Sequence, residues 1–232
     1  MFLALPLLVL ALNTSPAPQA PPPSAKALNT EGFRLYQAGR YPEALEKFQA
    51  SAKEDPAYAL PRYNAAATLG VLRKKGQVCE YGAHRDVIVE HLSQAVRLDA
   101  RRLVRARQDT DFDGIRDTLG WQRLLGRVPE READVPFLLR DVSWFGPGVG
   151  VYGSTQALRF NTRGKAVLKT RAVDVNGQAQ RIELGGTYTV KGRQVELRLK
   201  GEAPVTGTLT EAGALTFPKL GTFTDAPSEC DA

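Results

Sequence analysis

The spacing of hydrophobic residues changes partway along the chain. In 27–52, apolar side chains such as Ala44, Leu45 and Phe48 recur every three or four positions, which places them on one face of a helix. From residue 142 onward, hydrophobic and polar residues alternate between glycine-containing turns, a pattern typical of antiparallel strands. The pattern therefore predicts an α+β chain with two domains, helical hairpins followed by an antiparallel β domain.

Turn and cap residues predict where the first helices begin and end. Asn29 or Thr30 is a candidate N-cap for the first helix, and Gly39 with Pro42 marks the turn into the second. The second helix is expected to end before Pro56, because proline disfavours helical backbone in the preceding residue. These signals predict one complete helical hairpin.

Two further helical units are predicted, and both are irregular. A helix at 58–72 and a partner helix that begins near Arg85 are separated by 73–84, a connection about ten residues longer than a usual helix turn. Short helices at 102–106 and 119–125 form a partial third unit. The helical half is therefore expected to contain about five or six helices.

The first hairpin, residues 28–56, resembles a tetratricopeptide repeat. Small residues stand where the two helices approach each other and large ones stand in the seam between them. The matching positions are Gly32, Tyr36, Gly39, Tyr41, Ala44, Phe48 and Pro56. Leu28 and Glu31 depart from the family, which often has Trp and Leu there. Residues 106–125 are similar to the terminal unit that closes some bacterial arrays of this family.

This resemblance implies a binding surface for a protein or peptide on the concave helical face. It places the partner contacts at Tyr36, Tyr63 and Asn64. It identifies neither the partner nor the oligomeric state of the protein.

The C-terminal half is expected to form a small antiparallel barrel or sandwich. The predicted strands are 149–152, 157–161, 166–175, 180–190, 194–199, 205–210 and 215–217. Asn176-Gly177 is the clearest hairpin turn, and Gly185-Gly186 indicates a bulge or a sharp bend. Two Gly-x-Tyr segments, ending at Tyr152 and Tyr188, resemble lipocalin-type barrel sequences.

The ends and the middle of the chain complete the predicted organisation. Residues 1–24 combine an apolar run with a proline-rich spacer, as in a secretory signal followed by an extended linker. A disordered apolar N-terminus is the alternative, because no basic residue precedes the run. We predict a helical domain at 25–127, a linker at 128–147 and the β domain at 148–232. A signal implies a periplasmic or secreted protein of the bacterial envelope, with no membrane span after export.

Composition and charge narrow the function classes. The 232 residues are 43% hydrophobic and carry a net charge of +6, enough apolar material for a core in each half. Arg97, Arg101 and Arg105 follow one helix face without interleaved aromatic residues, so we expect a solvated surface and no nucleic-acid partner. The chain shows no acid–base pair, nucleophile triad or phosphate loop, and we expect no enzyme activity.

Four aspartates form the clearest chemical motif. Asp109, Asp111, Asp113 and Asp117 alternate around a glycine, a spacing that can wrap carboxylate oxygens around calcium. The twelfth position of the loop is Gly120, so the bidentate glutamate of an EF-hand is missing. The alternative is that Asp109 and Asp111 cap helices while Phe112 packs beneath the terminal unit. The resemblance to a terminal unit covers more residues than the calcium pattern, so we expect no cofactor and keep calcium as the alternative.

Cys79 and Cys230 are the two cysteines of the chain. In an oxidising compartment they can form a disulfide that ties the C-terminal tail to the helical half. Two free thiols are the alternative.

Two functions from different classes fit these patterns. The first is a non-enzymatic interaction or scaffold protein that binds a peptide or protein on the helical face. The second is a carrier of a small apolar ligand in the β barrel, which requires an open cup. The lining of that cup is expected to include Tyr152, Phe160, Tyr188 and Leu199.

Overall fold

The helical half consists of antiparallel helices connected by short turns. The structure, a computed structural model, describes residues 23–147, 154–227 and 230. Within this part the helices are α1 (Ala25–Gln37), α2 (Tyr41–Glu54), α3 (Ala59–Lys74), α4 (Val78–Tyr81), α5 (Arg85–Leu98), α6 (Arg101–Ala106), a 3₁₀ helix (Thr110–Ile115), α7 (Leu119–Leu124), a second 3₁₀ helix (Glu132–Asp134) and α8 (Val135–Asp141). Residues 1–22 of the predicted signal and spacer lie outside the described part of the chain.

The first hairpin has the predicted turn but a different N-cap. Ser24 caps α1 by accepting a hydrogen bond from the Ala27 amide at 3.3 Å. The prediction of Asn29 or Thr30 as the N-cap was therefore wrong. The helix begins at Ala25, four or more residues before these positions. Gly39 adopts a left-handed φ of 76° between α1 and α2, a conformation that glycine adopts without steric cost.

Close backbone contacts fix the helices of this half against each other. Gly32 lies against the Phe48 ring, where a Cβ would be 2.8 Å from ring carbons. Gly70 in α3 lies directly against the backbone carbonyl of Asp111, so the first 3₁₀ helix packs onto α3 without an intervening side chain. Phe48, Tyr63 and other buried side chains fill the core between the helices.

The C-terminal half is an eight-stranded antiparallel meander that forms a nearly closed barrel. The strands are β1 (Trp144–Gly146), β2 (Thr155–Phe160), β3 (Lys165–Val173), β4 (Ala179–Lys191), β5 (Gln194–Leu199), β6 (Val205–Leu209), β7 (Leu215–Phe217) and β8 (Gly221–Phe223). They pair in chain order from β1 to β8. A bridge between Phe145 and Thr224 brings the first and last strands together. The α+β architecture and the barrel are thus as predicted.

Two predicted features of the β half concern the glycine pair Gly185-Gly186 and the strand at 149–152. The pairing of β3 with β4 runs without interruption through Gly185-Gly186, so this pair forms no bulge. A Cβ on Gly186 would collide with the backbone of Arg198 in β5, which explains the glycine. The strand predicted at 149–152 falls outside the described residues.

The segment predicted as a linker, 128–147, is folded and belongs to the barrel. It contains the second 3₁₀ helix, α8 and β1. Val135, Leu138 and Trp144 are fully buried in the same core as the strands, together with Leu119 from α7. The apolar face of α8 covers the barrel interior, so the linker prediction was wrong.

Polar contacts and one disulfide connect the two halves. Asp117 follows the first 3₁₀ helix, and its carboxylate accepts hydrogen bonds from Arg85 of α5 and from the Ser143 hydroxyl next to β1. Cys79 in α4 and Cys230 form a disulfide with a Cα–Cα distance of 5.6 Å, which confirms the predicted pair. None of the helices in the described part of the chain has the length and apolar character that a bilayer span requires.

Candidate functional site

A cavity of about 50 Å³ opens on the helical half. It is lined by Phe33, Tyr36, Phe48, Tyr63, Asn64, Ala67, Arg105, Asp109 and Asp111. The cavity continues into an open cleft of about 660 Å³, to which Gln37, Gln108 and Thr110 also contribute. All three predicted partner contacts therefore line one cavity, together with two of the four aspartates that the sequence motif contains.

Three elements position these side chains. Tyr36 lies in the last turn of α1, and Tyr63 and Asn64 are neighbours in the second turn of α3. Asp109 and Asp111 lie at the start of the first 3₁₀ helix, which the close contact at Gly70 holds against α3. The cavity is thus the space left where α1, α3 and this segment meet.

Each tyrosine hydroxyl in the cavity donates a hydrogen bond to an aspartate. The Tyr36 hydroxyl donates to Asp111, and the Tyr63 hydroxyl donates to Asp109 at 2.7 Å. Asp109 also accepts the Asp111 amide at 3.1 Å and so caps the 3₁₀ helix, as the alternative to calcium predicted. Asp111 is bound to Tyr36 rather than acting as a cap.

The predicted contact residues differ in their exposure. Tyr63 was expected to be an exposed contact, but only 2% of it is accessible, because its ring packs edge-on against Phe112. Tyr36 and Asn64 are half-buried, and Asn64 Nδ2 donates to Asn29 Oδ1 at 2.9 Å. Phe33 is 45% exposed and stacks on Tyr36 with ring centroids 6.5 Å apart.

Burial raises the pKa values of three side chains in the cavity, Asp111, Tyr36 and Tyr63. Burial raises the pKa of Asp111 and the nearby Asp109 adds to this, while the hydrogen bond from Tyr36 acts in the opposite direction. Burial, followed by the hydrogen bond to its aspartate, raises the pKa of Tyr36 and likewise that of Tyr63. Both phenols therefore keep their protons at neutral pH and remain donors to the carboxylates.

The remaining two aspartates of the motif point elsewhere. Asp113 pairs with Arg116 at 2.9 Å, and Asp117 binds Arg85 at the junction with the barrel. Within 23–147, 154–227 and residue 230, no group of three or more His, Cys, Asp or Glu side chains is arranged to hold a metal ion. The described structure thus gives no support to the calcium hypothesis.

The interior of the barrel is filled by side chains. Phe160 and Leu199 lie in its buried core, and Tyr188 packs edge-on against Phe160 with ring centroids 4.7 Å apart. The Tyr188 hydroxyl donates to the Asn161 carbonyl at 2.9 Å. Tyr152 lies outside the described residues. The expected cup for an apolar ligand is therefore occupied by the protein's own core.

Phe33 and Arg105 are among the cleft residues that sequence reasoning did not assign to a binding site. Phe33 precedes Tyr36 by three positions, so the helical spacing already puts both rings on one face of α1. Arg105 was assigned to a solvated stripe, yet its guanidinium lies over the Tyr63 ring, 5.8 Å from the centroid.

The function of this chain is assigned from the geometry of the site, because comparison with family models and curated proteins finds no match. A scan against protein-family models gives no match to this chain, and a search of the curated proteins gives none either.

Proposed function

We propose that this protein is a non-enzymatic interaction or scaffold protein of the bacterial cell envelope, which binds a protein or peptide in the cleft of its tetratricopeptide-like helical half. One observation carries the proposal. The three side chains that the repeat resemblance assigned to partner contact, Tyr36, Tyr63 and Asn64, line one cavity that shares Phe33, Tyr36, Arg105, Asp109 and Asp111 with an open cleft.

The shape and lining of the cleft suit a polypeptide. At about 660 Å³ it accommodates several residues of an extended segment, and the exposed ring of Phe33 offers an apolar contact beside polar groups. Aromatic side chains that remain partly exposed at a concave surface are common anchors in protein interfaces.

Packing in the helical half supports the repeat resemblance. Gly32 allows α1 to approach the Phe48 ring of α2, as the small and large positions of the repeat require. Phe112 and Trp121 are buried against the last helices, consistent with a closing unit. These contacts are those expected of a short array of such repeats.

The disulfide supports an extracytoplasmic location. Disulfides persist mainly in oxidising compartments such as the bacterial periplasm. The pair Cys79–Cys230 and the apolar N-terminal run together favour a periplasmic or secreted protein.

The proposal is tested by capturing partners from an envelope fraction with the full chain. Phe33→Ala removes an exposed ring of the cleft, whereas Phe137→Ala removes a ring of similar exposure, 42%, on α8. We expect Phe33→Ala to lose the captured protein and Phe137→Ala to retain it. Equal capture by both variants would refute the proposed site.

A further inference from the structure

From the lining of the cavity we infer that it binds a primary ammonium group, supplied by a lysine side chain or by the N-terminus of the bound polypeptide. This inference rests on the proposed function and specifies the chemistry of its ligand. It concerns the innermost part of the cleft, the cavity of about 50 Å³ between α1, α3 and the first 3₁₀ helix.

The polar atoms that line the cavity are mostly hydrogen-bond acceptors. The Tyr36 and Tyr63 hydroxyl protons are already donated to aspartates, so both phenol oxygens can act only as acceptors, and the Tyr63 oxygen already has the Arg105 guanidinium as a donor beside it. The Asn64 Nδ2 amide donates one of its two protons to Asn29, and the Asn64 side-chain Oδ1 adds a further acceptor. An ammonium group carries three donors and no acceptor, so it complements this lining.

The charges of the lining also favour a cation. Asp109 and Asp111 are half-buried, whereas Arg105, the cation among the described lining residues, is exposed at the rim. One guanidinium against two carboxylates leaves a net negative charge, and Arg105 lies over the Tyr63 ring rather than in an ion pair with either aspartate. A buried carboxylate binds a cation more strongly than an exposed one, because water screens it less.

The size and walls of the cavity favour an ammonium over a guanidinium. A volume of about 50 Å³ holds a compact group with one or two methylenes, given that a single water needs roughly 10–15 Å³ on this scale. The stacked rings of Phe33 and Tyr36 provide an apolar wall for the methylene stem. A cation close to such aromatic faces gains further attraction.

Short peptides titrated into the full chain, followed by NMR chemical shifts, test the inference. The probes are an acetylated, amidated Gly-Lys-Gly, the same peptide with an acetylated lysine amine, and Gly-Gly-Gly amide with a free N-terminus. We expect the lysine peptide, the free N-terminus or both to shift resonances of Tyr36 and Asp111. Acetylation of the lysine amine removes the shift that the lysine peptide causes. The probe that binds more tightly identifies the source of the ammonium group.

Matched variants separate this site from general charge effects. Asp111→Asn is expected to weaken binding of the ammonium probe by about tenfold, since charge-assisted hydrogen bonds are about twice as strong as neutral ones. Arg105→Ala removes the competing cation and is expected to tighten binding. Asp113→Asn changes a neighbouring carboxylate that lies outside the cavity lining and should weaken binding much less than Asp111→Asn.

Three outcomes would overturn the inference: equal binding of the acetylated peptide, no binding of any probe, or equal losses in Asp111→Asn and Asp113→Asn. These failures are distinct from failure of the proposed function. If Phe33→Ala still abolishes partner capture, the cleft remains a binding site and only the ammonium chemistry is rejected.

Discussion

At the scale of single residues, Asp111 links the packing of the helical half to its cavity. Its backbone carbonyl lies against Gly70, and its carboxylate accepts the Tyr36 hydroxyl across 75 positions of sequence. The backbone contact with Gly70 therefore positions the Asp111 side chain. That side chain contributes a half-buried carboxylate to the cavity.

The protonation of Asp111 predicts a specific pH dependence of stability. Burial raises its pKa in the folded state above that in the unfolded chain, so the folded state holds this proton more tightly. The resulting stabilisation is present at low pH and is lost as pH rises through the raised pKa. We therefore expect the free energy of unfolding of the wild type, relative to Asp111→Asn, to fall as pH rises through the raised pKa of Asp111.

Urea denaturation of both proteins at several pH values measures this difference. Taking the difference cancels the titration of most other groups, because the two chains share them. A difference that is constant or that rises with pH would contradict the assigned environment of Asp111.

At the scale of secondary-structure elements, α8 extends the barrel core beyond the strands. The segment predicted as a linker contains a proline, Pro136, but proline is tolerated in the first turn of a helix, and Pro136 occupies such a position in α8. Leu138 and Leu139 of this helix are fully buried against the strands. The barrel therefore needs α8 to cover its interior.

Truncation of a buried leucine in α8 tests its contribution. We expect Leu138→Ala to lower the free energy of unfolding by about 2–5 kcal/mol, through lost burial and the cavity left behind. Leu98→Ala, at a position that is 45% exposed, should change it by less than about 1 kcal/mol. Similar effects of the two substitutions in chemical denaturation would show that α8 is not part of the core.

Sequence pattern predicted the long elements better than the short ones. The periodic runs of α1, α2, α3 and α5 and the alternating runs of β2 to β5 carry enough positions to define a period. The strands β1 and β8, with three residues each, do not, and they were missed; the equally short β7 was predicted, because the Glu211-Ala212-Gly213 turn marks its start.

The cavity could be predicted only in part. The repeat resemblance pointed to Tyr36, Tyr63 and Asn64, and the aspartate motif was recognised separately. Their meeting depends on how the first 3₁₀ helix packs onto α3, a tertiary contact that local spacing does not encode.

At the scale of the whole molecule, the disulfide and the Asp117 contacts connect the helical half to the barrel. Asp117 binds Arg85 of α5 and Ser143 at the start of the barrel, and the disulfide attaches the C-terminal tail to α4. These contacts join the helical half, which contains the cleft, to the β half at two separate places.

Loss of the disulfide is expected to destabilise the protein by about 2–4 kcal/mol, because the bond restricts a long loop in the unfolded chain. Its two cysteines are separated by 151 positions. Chemical denaturation with and without a reductant measures the effect. A Cys79→Ser/Cys230→Ser variant should match the reduced wild type and show no response to the reductant. A response in that variant, or none in the wild type, would contradict the prediction.

The most direct test of the binding cleft is the affinity of a captured partner for three purified full-length proteins, measured by calorimetry. The wild type and Phe137→Ala are expected to bind with equal affinity. Phe33→Ala is expected to bind at least about tenfold more weakly, as for an aromatic anchor of an interface. Equal affinity of all three proteins would contradict the account, because the partner would then bind outside the cleft.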